Sequence, residues 1–236
     1  MTQRPAFLAA LLLALLAPGS AAAGEGPRPV LVELFTSQGC SSCPPADRLL
    51  GELAERPGIV ALSLHVDYWD YLGWRDTFAR PAFTRRQYAY REALGEKMVF
   101  TPQAIVQGAA DAVGSNADHL RDLIAMARER EAPARVEIVA EAGGLLCRIT
   151  PLAEGARGTI WIAEYDIRRE VEVARGENGG RRLAYHNVVR RLVPHGDWAG
   201  EAEEVVLEAP GVGRGLAVWL QEAGTGRVLA AARYEP

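Results

Sequence analysis

Residues 32–47 read VELFTSQGCSSCPPAD, and this stretch decides how the first half of the chain folds. The apolar run ending at Phe35 predicts a buried strand, and residues 47–56 have the apolar spacing of a helix. Cys40 and Cys43 lie in the turn between the two. A helix N-terminus offers unpaired N–H groups and a partial positive charge, and both stabilise a thiolate. The pattern therefore predicts a reactive pair in which Cys40 attacks and Cys43 resolves the mixed disulfide.

Other interpretations of the cysteine pair remain open at this stage. A zinc site needs a second pair of ligands, and the four histidines show no close paired spacing. A structural disulfide closing so small a ring removes little entropy from the unfolded chain, which makes it a poor staple. Pro44 and Pro45 are tolerated only in a first helical turn, so the helix has an alternative start near Cys43. That start would leave the choice of nucleophile open.

The order of elements predicts two domains. Residues 30–131 read as strand, helix, strand, helix, two strands and helix, which favours a parallel core with an antiparallel edge. After Pro133 the pattern changes to alternating strands separated by glycine-rich turns. We therefore expect an α/β domain over residues 24–132, followed by a smaller all-β, sandwich-like domain over residues 133–236.

A proline near the start of the third predicted strand supports the interpretation of the cysteines. Thr101-Pro102 opens that strand, about sixty residues after the pair. Only about 5–6% of X–Pro bonds are cis, so the residue alone is weak support. A cis bond there would set a turn beside the cysteines and leave the Thr101 backbone free to pair with an incoming peptide.

Four strings of this sequence resemble a family of secreted, thioredoxin-like proteins catalogued as a domain of unknown function (DUF1223). The strings are VELFTSQGCSSCPPAD, HVDYWDYLGW, TPQAIVQG and RGENGGRRLAYHNVVR, so the resemblance covers most of the chain. The family brings no settled activity with it. The likeness to thioredoxin implies a thioredoxin-like fold for residues 24–132, with Cys40 as attacking thiol, Cys43 as resolving thiol and Pro102 as the cis proline.

The same resemblance draws attention to Glu33. Thioredoxins often bury an acid in the strand before the cysteine pair, where it accepts the proton of the resolving cysteine. Glu33 lies seven residues before Cys40, one more than in thioredoxin. Burial would raise its pKa and suit it to proton transfer near neutral pH. The alternative is a solvated position at the edge of the sheet.

A group of aromatic and acidic residues follows the second predicted strand. It comprises His65, Asp67, Trp69, Asp70 and Trp74. In a parallel sheet this strand end lies at the same edge as the cysteines, where ligands bind. We expect a wall of the site that contacts substrate, together with Thr101; the alternative is a loop that packs on a helix over residues 81–97.

The second half of the chain offers weaker candidates. Glu177, Asn178, His186 and Asn187 fit a hairpin turn and a strand surface better than a binding site. Cys147, in an apolar run, is predicted to be a buried small hydrophobe.

The first residues predict export. Arg4, an apolar run over residues 7–17 and three alanines ending at Ala23 have the form of a signal peptide over residues 1–23, cleaved after Ala23. No later stretch is apolar and long enough to span a membrane. The formal charge of −4 is not typical of a nucleic-acid-binding protein. In a periplasm or outside the cell, a disulfide persists.

Together these observations predict an exported thiol-disulfide oxidoreductase. Its partners would be protein thiols and disulfides and an unidentified redox protein, and it would need no cofactor or metal. Two alternatives belong to other classes. One is a copper-binding protein that uses Cys40, Cys43 and His65; the other is a non-enzymatic binding module in which the β domain does the binding.

Overall fold

The structure of the protein, a computed structural model, describes residues 28–141 and 143–236. The predicted signal peptide over residues 1–23 lies outside these ranges. The described residues form eleven strands, three α-helices and a 3-10 turn at Asp70–Leu72. The elements are β1 (Val30–Thr36), α1 (Pro44–Ala54), β2 (Ile59–His65), α2 (Pro81–Leu94), β3 (Gln103–Val106), β4 (Ala110–Val113), α3 (Ala117–Glu129), β5 (Ala134–Glu141), β6 (Gly144–Pro151), β7 (Gly158–Val173), β8 (Arg181–Trp198), β9 (Glu203–Leu207), β10 (Arg214–Gln221) and β11 (Val228–Tyr234).

Most strands belong to one mixed sheet. Its order is β11-β10-β7-β8-β2-β1-β3-β4, and β5-β6-β9 form a second, three-stranded sheet. The pairs β1–β2 and β2–β8 are parallel, and the other pairs are antiparallel. None of the described helices is long and apolar enough to cross a membrane.

The predicted fold class is therefore wrong. A thioredoxin-like α/β domain followed by a β-sandwich would keep the two sets of strands apart, whereas β2 pairs directly with β8, where Ser63 lies opposite Val188. The order of elements over residues 30–131 is confirmed. All seven residues of β2 are buried, as in an inner strand that needs a neighbour on each side. Hydrophobic periodicity shows which residues are buried, but it does not show which distant strand lies alongside.

The eight-stranded sheet curls so that its inner face encloses a core. Leu31 of β1, Leu62 of β2, Trp219 of β10 and Ala231 of β11 share one buried cluster, to which α2 contributes Tyr90. On the outside, α1 and α3 pack against the other face of β1 and β3. The three-stranded sheet packs against the outer face of β7, β10 and β11.

A buried ion pair lies inside the curled sheet. Arg86 of α2 donates two hydrogen bonds to the Glu33 carboxylate of β1, from Nε to Oε1 at 2.6 Å and from Nη2 to Oε2 at 3.0 Å. Tyr90 donates to the same carboxylate, and Gln221 of β10 accepts from Arg86 Nη2 at 2.8 Å. The Arg86 guanidinium lies 4.9 Å from the Trp161 ring centroid, so its faces are also covered.

We expect Arg86→Met to lower the free energy of unfolding by about 3–5 kcal/mol, because it leaves a buried carboxylate without its cation. The double variant Glu33→Met/Arg86→Met removes both charges and is expected to lose much less. Urea denaturation at pH 7 measures both. Arg121→Met, in an exposed pair with Asp118, serves as control and should change stability by at most about 0.5 kcal/mol. A double variant as unstable as Arg86→Met would contradict this account.

Candidate redox site

Cys40 and Cys43 form a disulfide in the turn between β1 and α1, with their Cα atoms 5.4 Å apart. The α-helix begins at Pro44, and Cys43 is its N-cap residue. This is the later of the two starts considered above, and it follows from the two prolines that open the helix. Cys40 lies in the preceding turn, where its carbonyl oxygen accepts from the Cys43 N–H at 3.2 Å.

The helix start offers little to a thiolate. Pro44 and Pro45 have no N–H group, and the N–H groups of Ala46 and Asp47 both donate to the Cys43 carbonyl oxygen, at 2.9 and 3.1 Å. The unpaired N–H groups predicted from a strand-turn-helix motif are thus absent from these four residues. Only the helix dipole remains to favour a negative charge there.

Both cysteines are buried, but the residues between them are not. Cys40 is 1% exposed and Cys43 is 0% exposed, whereas Ser41 and Ser42 are exposed. The Ser42 hydroxyl lies 3.3 Å from Cys40 Sγ. The buried disulfide therefore lies beside two exposed residues.

The Thr101–Pro102 bond is cis, as expected, and it lies beside the cysteine turn. The Ser42 hydroxyl lies 3.4 Å from the Thr101 carbonyl oxygen, which is therefore not as free for an incoming peptide as expected. Trp69 Nε1 donates to Thr101 Oγ1 at 2.8 Å. A Cβ at Gly39 would lie 3.2 Å from Trp69 Cβ, so the tryptophan packs directly on the cysteine turn. The structure thus brings Thr101, Pro102 and Trp69 together with the cysteines.

Asp67 and Asp70 hold the loop after β2 in shape. The Thr84 hydroxyl of α2 donates to Asp67 Oδ1 at 2.6 Å, and the Asp76 N–H donates to Asp70 Oδ1 at 3.0 Å. Burial raises the pKa of Asp70. Asp67 is thus bonded to α2 and Asp70 to its own loop, and their contact with substrate stays a prediction.

His65 is fully buried at the end of β2, beneath the cysteine turn. Its Nδ1 lies 2.7 Å from Asp76 Oδ2, and Asp76 Oδ2 also accepts from the Gln38 N–H at 2.7 Å. Burial alone would raise the pKa of Asp76, but His65 and the backbone N–H groups of Gln38 and Phe78 outweigh it and hold that pKa below its usual value. His65 is therefore linked to the cysteine turn through Asp76, which binds both the His65 ring and the Gln38 N–H.

The loop between β7 and β8, residues 174–180, covers the cysteine turn. Asn178 is fully buried, and its Nδ2 donates to the carbonyl oxygens of Gln38 at 3.0 Å and Cys40 at 2.8 Å. Glu177 Oε2 accepts from the Ser41 N–H at 3.1 Å. The sequence analysis favoured a hairpin turn over a binding role for this loop, because no pattern in the sequence links a hairpin to a motif nearly 140 residues earlier.

Glu33 does not lie with the cysteines. It shares the face of β1 that carries Leu31 and Phe35, whereas α1, which follows Cys43, packs on the opposite face, against Val32 and Leu34. The contacts of Glu33 are those with Arg86 and Tyr90 described above. The acid that sequence reasoning missed is Asp47, buried in the first turn of α1.

The Asp47 carboxylate accepts a hydrogen bond from the Thr36 hydroxyl at 2.8 Å. Burial raises the pKa of Asp47 to about 7, against the opposing effects of His65 and the Thr36 hydroxyl. Its spacing of four residues from Cys43 is the signal that could have identified it, since such residues share a helix face.

Two remaining expectations concern metal binding and Cys147. In residues 28–141 and 143–236, no three His, Cys, Asp or Glu side chains are grouped so that they could hold a metal ion, and the copper-binding alternative gains no support.

Cys147 is buried and unpaired, as predicted, and burial raises the pKa of its thiol to about 12. It is therefore a useful internal standard for thiol reactivity.

We expect Asn178→Ala to expose the cysteine turn. Loss of two buried hydrogen bonds, worth about 1 kcal/mol each, corresponds to a rise of roughly 30-fold in the alkylation rate of reduced Cys40. Mass spectrometry after timed exposure to iodoacetamide gives the rate. Asn116→Ala is the matched control, because it removes the N-cap of α3 at a similar cost without touching the turn. An equal rate in the two variants would show that the loop does not limit access.

We also expect Asp47→Asn to increase the free energy of unfolding over that of the wild type, and to do so by more at pH 8 than at pH 4.5. The folded-state pKa of Asp47, about 7, lies above the ordinary value of 3.8. Ionisation of Asp47 therefore lowers wild-type stability as the pH rises from about 3.8 to about 7, and it lowers stability no further at higher pH. The full difference is on the order of 4 kcal/mol. Urea denaturation of oxidised protein measures it, with exposed Glu52→Gln on the same helix as control. A gain that does not change with pH would contradict the raised pKa.

Comparison with known proteins places the chain in a family. Residues 31–221 match the family described as "Protein of unknown function (DUF1223)". The chain is similar to the X-ray structure of a protein from Agrobacterium tumefaciens, with 34% identity and a TM-score of 0.75, over 86% of this chain and 92% of that one. No curated protein matches it. Secretion stays a prediction. The family resemblance seen in the sequence is confirmed, and the chain belongs to the DUF1223 family of proteins of unknown function.

Proposed function

We propose that this protein exchanges disulfides with protein thiols through Cys40 and Cys43, in an oxidising compartment outside the cytoplasm. The observation that carries the proposal is the disulfide across two intervening residues, at the start of α1 and beside the Thr101–Pro102 bond. A ring this short adds little stability to a folded chain, so its chemistry is the better reason for its presence. Export, inferred from residues 1–23, would supply a compartment where the oxidised form persists.

In the oxidised protein, a partner thiolate attacks Cys40 Sγ, the S–S bond to Cys43 breaks, and the Cys43 sulfur leaves with the bonding electron pair. Cys40 is the better point of attack because its sulfur lies 3.3 Å from the hydroxyl of exposed Ser42. A second thiolate of the partner then attacks the partner sulfur in the mixed disulfide and releases Cys40. The partner gains a disulfide, and the protein becomes a dithiol. The reverse sequence reduces a partner.

The loop over residues 174–180 gives the second half of the chain a role in this proposal. Through Asn178 and Glu177 it contacts the backbone of Gln38, Cys40 and Ser41. A partner protein must fit against this loop and the exposed serines together. Strands β7 and β8 would thereby restrict which partners reach the disulfide.

The test is a redox titration of the purified protein in glutathione buffers, scored by alkylation and mass spectrometry. We expect Cys40 and Cys43 to change state together and reversibly, with a midpoint in the range of about −270 to −120 mV spanned by known dithiol couples. Cys147 should stay unmodified throughout. Cys147→Ala is the matched control for the double variant Cys40→Ser/Cys43→Ser, which should lose exchange activity on a two-cysteine peptide. A pair that stays locked in one state, or that responds only to added copper, would overturn the proposal.

A further inference from the structure

A group of buried polar side chains lies behind the disulfide, on the α1 side of β1 and β2. Asp47 and His65 are 4% and 0% exposed, and the His65 ring centroid lies 4.8 Å from that of Tyr185. His65 Nε2 and the Tyr185 hydroxyl are buried and have no hydrogen-bond partner among the described residues. The groups that face Asp47 are Thr36 on β1, His65 on β2, Asp76 in the following loop, Tyr185 on β8 and Arg48 on its own helix.

Asp47 is placed one helical turn after Cys43. Its N–H donates to the Cys43 carbonyl oxygen at 3.1 Å, and the Cys43 backbone is helical, with φ −77° and ψ −35°. Side chains four residues apart lie on one face of a helix, with Cβ atoms roughly 5–6 Å apart. The carboxyl group of Asp47 is therefore within reach of the Cys43 sulfur, and both are shielded from water.

The surroundings of Asp47 do not satisfy a permanent negative charge. Asp76 accepts hydrogen bonds from three backbone N–H groups in addition to its pairing with His65. Asp47 accepts one, from the Thr36 hydroxyl, and Arg48 is exposed. A buried carboxyl group that is poorly solvated gains and loses a proton near neutral pH, and burial indeed raises its pKa to about 7. A purely structural role would be served better by an amide.

The Cys43 sulfur needs a proton acceptor of this kind. The first-turn N–H groups of α1 are missing or already bonded, so the helix start does little to stabilise a buried thiolate. A thiol becomes a good nucleophile only when its proton is removed, so resolution by Cys43 requires a group that accepts this proton.

We propose that Asp47 accepts the proton of the Cys43 thiol as the mixed disulfide is resolved, with Thr36 and the His65–Asp76 pair setting its acidity. The inference rests on the disulfide exchange proposed above. In the step, the Cys43 S–H proton moves to the Asp47 carboxylate, and the Cys43 sulfur attacks Cys40 Sγ. The bond between Cys40 and the partner breaks, and the partner sulfur leaves as a thiolate. In the oxidising direction, Asp47 returns the proton to Cys43.

The experiment follows the reduced protein with 5,5′-dithiobis(2-nitrobenzoic acid) in a stopped-flow spectrometer. Attack by Cys40 releases one thionitrobenzoate, and resolution by Cys43 releases the second. We expect the rate of the second phase to rise with pH through about 7, as Asp47 becomes ionised. In Asp47→Asn the second phase should slow by about 100-fold at pH 8, the lower end of what a general base contributes. The inflection near pH 7 should disappear from its pH profile, and the rate should keep rising at higher pH, because burial raises the pKa of a thiol.

Thr36→Val is the second variant. It removes the hydroxyl that favours ionised Asp47, so the inflection of the second phase should move to higher pH while the first phase keeps its rate. Exposed Glu52→Gln is the matched control for loss of a negative charge from α1 and should change neither phase.

The outcomes separate the two proposals. If neither phase occurs in the wild type, disulfide exchange itself is wrong. If both phases occur and Asp47→Asn keeps the wild-type rate and pH profile in the second phase, exchange stands and the role of Asp47 is refuted. If Asp47→Asn slows both phases equally, or the Thr36→Val inflection stays in place, Asp47 acts on the shape of the turn and not on the proton.

Discussion

The Glu33 carboxylate lies inside the curled sheet, where a charge can persist only if other groups replace the water around it. Arg86 supplies two hydrogen bonds, Tyr90 a third, and Gln221 holds Arg86 from the opposite side. These residues come from β1, α2 and β10. The closure of the sheet around β1 therefore depends on elements far apart in the chain meeting at one carboxylate. Such a pair adds little net stability over an apolar core, but a wrong arrangement would leave a bare charge inside.

Strand β1 separates this ion pair from the cysteine site. Glu33 faces the enclosed core, while Thr36, at the end of the same strand, faces α1 and binds Asp47. The two faces have different chemistry: one holds a permanent ion pair, and the other holds a carboxyl group with a pKa near neutral pH. The acid inferred from the likeness to thioredoxin is thus structural, and the one poised to exchange a proton lies on the helix.

The disulfide is enclosed by three separate segments. The loop after β2 contributes Trp69, the Thr101–Pro102 segment lies against Ser42, and residues 174–180 bind the backbone of the turn. The last of these depends on the β2–β8 pairing, which brings the β7–β8 hairpin over α1. The β2–β8 pairing, which overturns the predicted fold class, is therefore also what builds the site. Both cysteines are buried, and burial disfavours the charged thiolate form of a cysteine.

Local features of this chain could be predicted from the sequence because each depends on neighbours within a few residues. The element order over residues 30–131, the cysteine pair before a helix, the later helix start at two prolines and the buried Cys147 all belong here. The partner of β2, the covering of the turn by Asn178 and the face to which Glu33 points depended on the tertiary structure. The physical reason is that a hydrophobic pattern records only that a side chain leaves water. The strand, loop or ion that excludes that water is decided by contacts between residues more than fifty positions apart.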